Sequence, residues 1–149
     1  MGWLRERRVL VGVAAAYLVG LAILVAGPWG WALNRLTVAL YVRFRFTWPI
    51  APDWVSPDDY GTLLNVVLFV PLGALVVLLV VRPWWWAALA AALGSTAIEV
   101  VQALWLAREG TWVDVAANTL GATIGALAVT PLARRRSRRA GPRGRPRRP

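Results

Sequence analysis

Four stretches of the chain stay apolar long enough to cross a bilayer, whose hydrocarbon core of about 30 Å takes about 20 helical residues. They run from Val9 to about Ala26, from Thr62 to Val81, from Trp84 to Leu106 and from Trp112 to about Ala133. Each predicts a transmembrane helix, because a helix satisfies its own backbone polar groups in lipid. Only Arg82-Pro83 separates the second from the third, a tight hairpin turn in which proline ends the helix. Arg5, Arg7 and Arg8 precede the first, which reads as an uncleaved signal-anchor in preference to a cleaved signal: its apolar run exceeds a usual signal core, and Pro28 sits near any cleavage point.

The connection from Gly27 to Gly61 is too polar to span. Within it, helical spacing from Trp31 to Arg45 puts Leu33, Leu36, Leu40 and Phe44 on one face and Asn34, Thr37, Tyr41 and Arg45 on another. That pattern predicts a helix lying in the membrane interface. Val42, Phe44, Phe46 and Trp48 alternate with Arg43, Arg45 and Thr47, which also fits a short strand; the helix is preferred and both stay open. The expected fold class is all-α, an integral membrane four-helix bundle over residues 1–133 with an outer interfacial amphipathic segment.

Composition sharpens this picture. Hydrophobic residues make up 58% of the 149 positions and charged residues 16%, against about 25% charged in a soluble domain. The charge is also uneven, with nine of the 17 arginines between Arg134 and Arg148. Residues 134–149 hold those arginines, five Gly or Pro and no apolar face, so they are expected to form a disordered cytoplasmic tail. Such a tail orients the chain and attracts anionic lipid; nucleic-acid binding is the weaker reading. Counting arginines in the connections places 13 on one side and four, Arg35, Arg43, Arg45 and Arg108, on the other. By the positive-inside rule both termini are expected in the cytoplasm of a multi-pass plasma-membrane protein. Trp29, Trp31, Trp48, Trp54, Trp105 and Trp112 then fall near the outer interface and Trp84 to Trp86 near the inner one, as anchoring belts.

The absences exclude much chemistry. With no Cys, His or Lys, disulfides, thiol nucleophiles, histidine-zinc sites, Ser-His-Asp triads, Schiff bases and the P-loop lysine all lack a required side chain. Seven carboxylates and three tyrosines remain for proton transfer. Two or three helical carboxylates are thin support for Mg2+, and no metal or other cofactor is expected.

Candidate chemistry lies in the few polar residues within the spans. Ser95, Glu99 and Gln102 share one face of the third helix, and Asp114, Asn118, Gly121 and Gly125 one face of the fourth. Asn65 sits near the outer start of the second, and the short outer loop adds Arg108, Glu109 and Thr111. All fall in the outer half of the bilayer, which suits a polar pocket opening outward. Ser95, Gln102, Thr123 and the glycines suit packing, with Gly121-Ala-Thr-Ile-Gly125 a GxxxG that lets backbones approach. Intramembrane ionisable groups mark function instead. The candidate binding residues are therefore Asn65, Glu99, Gln102, Arg108, Asp114 and Asn118, with Glu99 and Asp114 as catalytic candidates if there is catalysis.

The run from Asp59 to Gly73 containing Asn65-Val-Val-Leu-Phe-Val-Pro71-Leu-Gly73 is followed by Ser95-Thr-Ala-Ile-Glu99-Val-Val-Gln102. After Arg108 comes Asp114-Val-Ala-Ala-Asn118-Thr-Leu-Gly121-Ala-Thr-Ile-Gly125. In this order the motifs resemble the VanZ-like family of small membrane proteins over about residues 58–131. The resemblance implies an integral membrane protein whose namesake lowers susceptibility to the glycopeptide teicoplanin. It implies no particular biochemical activity.

Two classes of function follow. In the preferred one the pocket binds an envelope component, a lipid-linked cell-wall precursor or a lipophilic glycopeptide, with Arg108 facing an anionic group. In the other, an enzyme acts on a lipid-linked substrate with Glu99 as general acid or base and Asp114 and Arg108 orienting it. No nucleophile is evident. The sequence leaves the oligomeric state open.

Overall fold

The computed structural model describes residues 2–80, 83–105 and 111–140. Five helices follow in order: α1 (Gly2–Ala26), α2 (Gly30–Val42), α3 (Pro57–Val80), α4 (Trp84–Trp105) and α5 (Trp112–Ala140). Four of them, α1, α3, α4 and α5, are long and apolar enough to cross a membrane. The all-α membrane bundle expected from the apolar runs is therefore the architecture found. Residues 81–82 and 106–110 lie outside the described part, and with them the expected hairpin turn at Arg82 and the candidate residues Arg108 and Glu109.

The central pair is α3 and α5; α4 packs mainly on α5, and α1 and α2 attach through α3. Small residues make the core: Ala87, Ala91, Ser95, Ala117, Ala122 and Ala126 are buried beside Leu21, Phe69 and Val77. In lipid there is no water to expel from between helices, so close backbone packing does the work that hydrophobic burial does elsewhere. Three glycines permit that approach. A methyl at Gly121 would run into the Val66 carbonyl, one at Gly125 into the Val70 carbonyl, and one at Gly73 into Ala122. The expected GxxxG is thus used within the chain, between the parallel helices α3 and α5.

Threonine hydroxyls inside the spans bond back to the preceding turn, Thr96 to Ala92, Thr119 to Val115, Thr123 to Thr119 and Thr130 to Ala126 at 2.7–2.8 Å. Each polar group is thereby satisfied without leaving its helix. One polar tether crosses between helices on the other side of α3, where the Tyr17 hydroxyl of α1 donates to the Leu68 carbonyl.

Several boundaries differ from the sequence reading. Helix α1 begins at Gly2, so Arg5, Arg7 and Arg8 continue it. Helix α3 begins five residues earlier than expected, at Pro57. Asp59 closes its first turn: Oδ2 accepts the Ser56 backbone N–H and hydroxyl, at 2.7 and 2.8 Å, and Pro57 takes the first helical position, where no N–H is needed. The expected disordered tail from Arg134 is corrected as far as Ala140, since α5 continues through these residues. Arginine and alanine are good helix formers, and an established helix adds residues at little cost. Residues 141–149 lie outside the described part.

The outer segment resolves in favour of the helix. After α2 the chain winds into a wider π-helical turn, Arg43–Thr47, in which the Trp48 N–H donates to the Arg43 carbonyl at 2.8 Å. No strand forms there, because these intrasegment bonds satisfy the backbone and no partner strand lies alongside. Phe44 holds the turn on the start of α3, its ring stacking on Tyr60 at 6.1 Å, and an ion pair ties Arg45 to Asp53 in the connection that leads to α3.

Candidate functional site

All five helices contribute to one cavity of about 400 Å3. Its walls are apolar: Leu24 from α1, Leu33 and Leu36 from α2, Leu64 and Leu68 from α3, and Ile98 from α4. Its polar residues are Asn65, Glu99, Asp114 and Asn118. Two leucines of the apolar stripe of α2, Leu33 and Leu36, thus form part of the cavity wall.

Asp114 is the best anchored of the polar set. Asn65 Nδ2 of α3 donates to its Oδ1 at 2.7 Å, and the Thr111 hydroxyl donates to its Oδ2 at 3.0 Å. The Thr111 Oγ1 in turn accepts the Asp114 backbone N–H at 3.2 Å. Thr111-Trp-Val-Asp114 is thus a capping arrangement at the start of α5, where the unbonded N–H groups and the positive end of the helix dipole favour a carboxylate. The Thr111 hydroxyl caps α5, and the carboxylate that holds this hydroxyl also clasps the neighbouring helix α3.

A turn deeper, Asn118 Nδ2 donates to Ser95 Oγ at 2.7 Å, joining α5 to α4. Both residues are buried. Asn118 Oδ1 is enclosed and accepts no hydrogen bond among the described residues. Glu99 stands one turn along α4 from Ser95, on the same face, with its Oε2 buried at the cavity.

Of the six residues read as candidates, four, Asn65, Glu99, Asp114 and Asn118, line this one cavity. Gln102 lies on α4, but its side chain falls outside the described part, and so does Arg108 entirely. Among the described residues no group of three or more acidic side chains is placed to hold a metal ion. Ser95 takes the packing role expected of it. What the sequence reading missed is the second anchor of Asp114, Thr111, and the share that α1 and α2 take in the walls. The T-x-x-D spacing before an apolar run was the available signal for Thr111.

The motifs acquire a common meaning in this geometry. Asn65, Phe69 and Gly73, four apart, face α5 in turn with a polar clasp, a buried ring and a backbone contact. From α5, Asp114, Gly121 and Gly125 face α3 in return, while Asn118 between them reaches Ser95 of α4. The model of one protein family, VanZ/LLP1, matches residues 14–134, which takes in these motifs, the outer segment and about half of α1. No curated protein and no solved structure matches the chain.

Proposed function

The chain belongs to the VanZ/LLP1 family, and on that premise we propose that it binds an amphiphilic component of the cell envelope in the cavity between its helices. The observation that carries this reading is the cavity's two-sided lining, with leucines from α1, α2 and α3 along the walls and Asn65, Glu99, Asp114 and Asn118 together on one side. An amphiphile fits both parts, its apolar portion against the leucines and its polar group among the amides and carboxylates. A lipid-linked cell-wall precursor and a lipophilic glycopeptide share this chemistry. Arg108 in the adjoining loop and Gln102 on α4 belong to the proposed site as further contacts to the polar group, and the Arg-rich stretch from Arg134 as a contact for anionic lipid.

In this reading, supported by the arginine distribution, the cavity opens toward the outside of a plasma membrane and both termini lie in the cytoplasm. A cysteine at Ser56, in a chain with no other cysteine, then reacts with an impermeant thiol reagent in intact cells, and one at Ser137 does not. The reverse labelling would reject the orientation.

The phenotype to score is teicoplanin susceptibility, with envelope lipid composition as the broader readout. Glu99→Gln and Asp114→Asn keep side-chain shape while removing charge. Both variants, and Arg108→Gln, are expected to reach wild-type levels in the membrane and to lose the effect of the wild-type protein on susceptibility or lipid composition. Normal accumulation with full wild-type effect in both assays for all three would reduce this polar cluster to helix packing.

A further inference from the structure

The face of α2 turned away from the cavity forms a second concave site. Helical spacing sends Leu33 and Leu36 toward the bundle and leaves Asn34, Arg35, Val38 and Val42 on the opposite side. With Arg43 and Thr47 of the following turn, these residues line a groove of about 510 Å3. Both arginines are exposed, and each guanidinium lies over a ring, Arg35 at 4.6 Å from the centre of Trp31 and Arg43 at 4.1 Å from that of Trp48. Stacking holds the plane of the fork and leaves its N–H edge available.

The third arginine of the segment is already engaged. Arg45 pairs with Asp53 at 2.5 Å and donates to the Ala51 carbonyl. Among the described residues no carboxylate pairs with Arg35 or Arg43. The groove therefore offers two ordered cations, the short polar side chains of Asn34 and Thr47, and an apolar floor of Val38 and Val42. Around it Trp31, Phe46 and Trp48 are 70%, 67% and 54% exposed, the distribution of rings that sit at a headgroup layer.

We infer that this groove binds the phosphate of an anionic lipid headgroup, with the Arg35 and Arg43 forks donating to the phosphate oxygens and the exposed rings set in the surrounding interface. A freely dissolved anion has no use for that apolar surround, and a lipid does. The site is separate from the proposed envelope-component cavity, because α2 stands between them.

The test uses the full chain in nanodiscs of phosphatidylcholine with graded phosphatidylglycerol, counting retained phosphatidylglycerol by native mass spectrometry. Arg35→Gln and Arg43→Gln are each expected to weaken retention about tenfold, the scale of losing a charge-assisted hydrogen bond. Arg45→Gln removes the same charge but is expected to change retention by less than about twofold, since that guanidinium already faces a carboxylate. Arg35→Lys keeps the charge without the stacked fork and recovers little of the loss. The Arg35 and Arg43 variants should keep wild-type thermal stability, both arginines being exposed. Equal losses in all three glutamine variants would mean a diffuse surface-charge effect and overturn the site. No loss in any would move the bound lipid to the arginines after Ala133 and overturn the site equally. Displacement of the lipid by millimolar inorganic phosphate would overturn a lipid as the occupant.

Discussion

Leucine at Gly121 will drive α3 and α5 apart and cost about 4 kcal/mol or more, the range reserved for substitutions that break a core contact outright. The reason is geometric. Even a single added carbon at this position meets the Val66 carbonyl and the Phe69 Cβ, and the backbone cannot yield without losing the contacts at Gly125 and Gly73 along the same seam. Since α4 and the outer helix reach the core through these two helices, the damage spreads to the cavity. Gly12→Leu and Gly94→Leu are the matched controls: nothing lies within 4 Å of a carbon added at either. Reversible unfolding in mixed micelles is the measurement. Equal stability of Gly121→Leu and Gly94→Leu would contradict the close α3–α5 seam.

Alanine at Asp114 is the second large effect, expected at about 2 kcal/mol, the scale of a hydrogen bond to a charged group plus the stranding of its partners. The Asn65 amide and the Thr111 hydroxyl lose their acceptor together, and the positive end of α5 loses its carboxylate. Asparagine at the same position keeps one oxygen for Asn65 and an amide facing Thr111, so Asp114→Asn should cost under about 1 kcal/mol. A double-mutant cycle with Asn65→Ala isolates the clasp, and a coupling of about 1 kcal/mol or more is expected. Zero coupling would show that the two side chains do not meet in the folded protein.

The spans and the polar seam were legible in the sequence because lipid imposes a strict rule. A run of apolar residues long enough to cross must be helical, and the exceptions within it, Asn65, Glu99, Asp114 and Asn118, then stand out against a uniform background. Gly121 and Gly125 carried the same clarity, since their GxxxG spacing announces close approach, whereas the role of Gly73 came from its contact with Ala122. Ends were harder to read. Nothing in Arg134 to Ala140 requires burial, so hydrophobicity marks no stop there, while helix propensity carries α5 onward. The outer segment was ambiguous for a related reason. Residues 42–48 alternate well enough for a strand, and only the supply of bonding partners, which pattern does not reveal, decides between a strand and the turn that forms. The cavity itself needed the structure, because Leu24, Leu33 and Leu36 look like any lipid-facing leucines until α1 and α2 are laid against α3.

The central claim, that the cavity holds an envelope amphiphile, is tested most directly by what leaves the membrane with the protein. Wild-type chain extracted gently from its native membranes and examined by native mass spectrometry should carry a stoichiometric amphiphile. Leu36→Trp and Val67→Trp place bulk at two partly exposed positions of the cavity lining, and both should lose that amphiphile while remaining folded. Gly12→Leu, whose side chain enters open space on α1, should keep it. The same retained molecules in the wild type and both tryptophan variants, or none in the wild type, would contradict the claim.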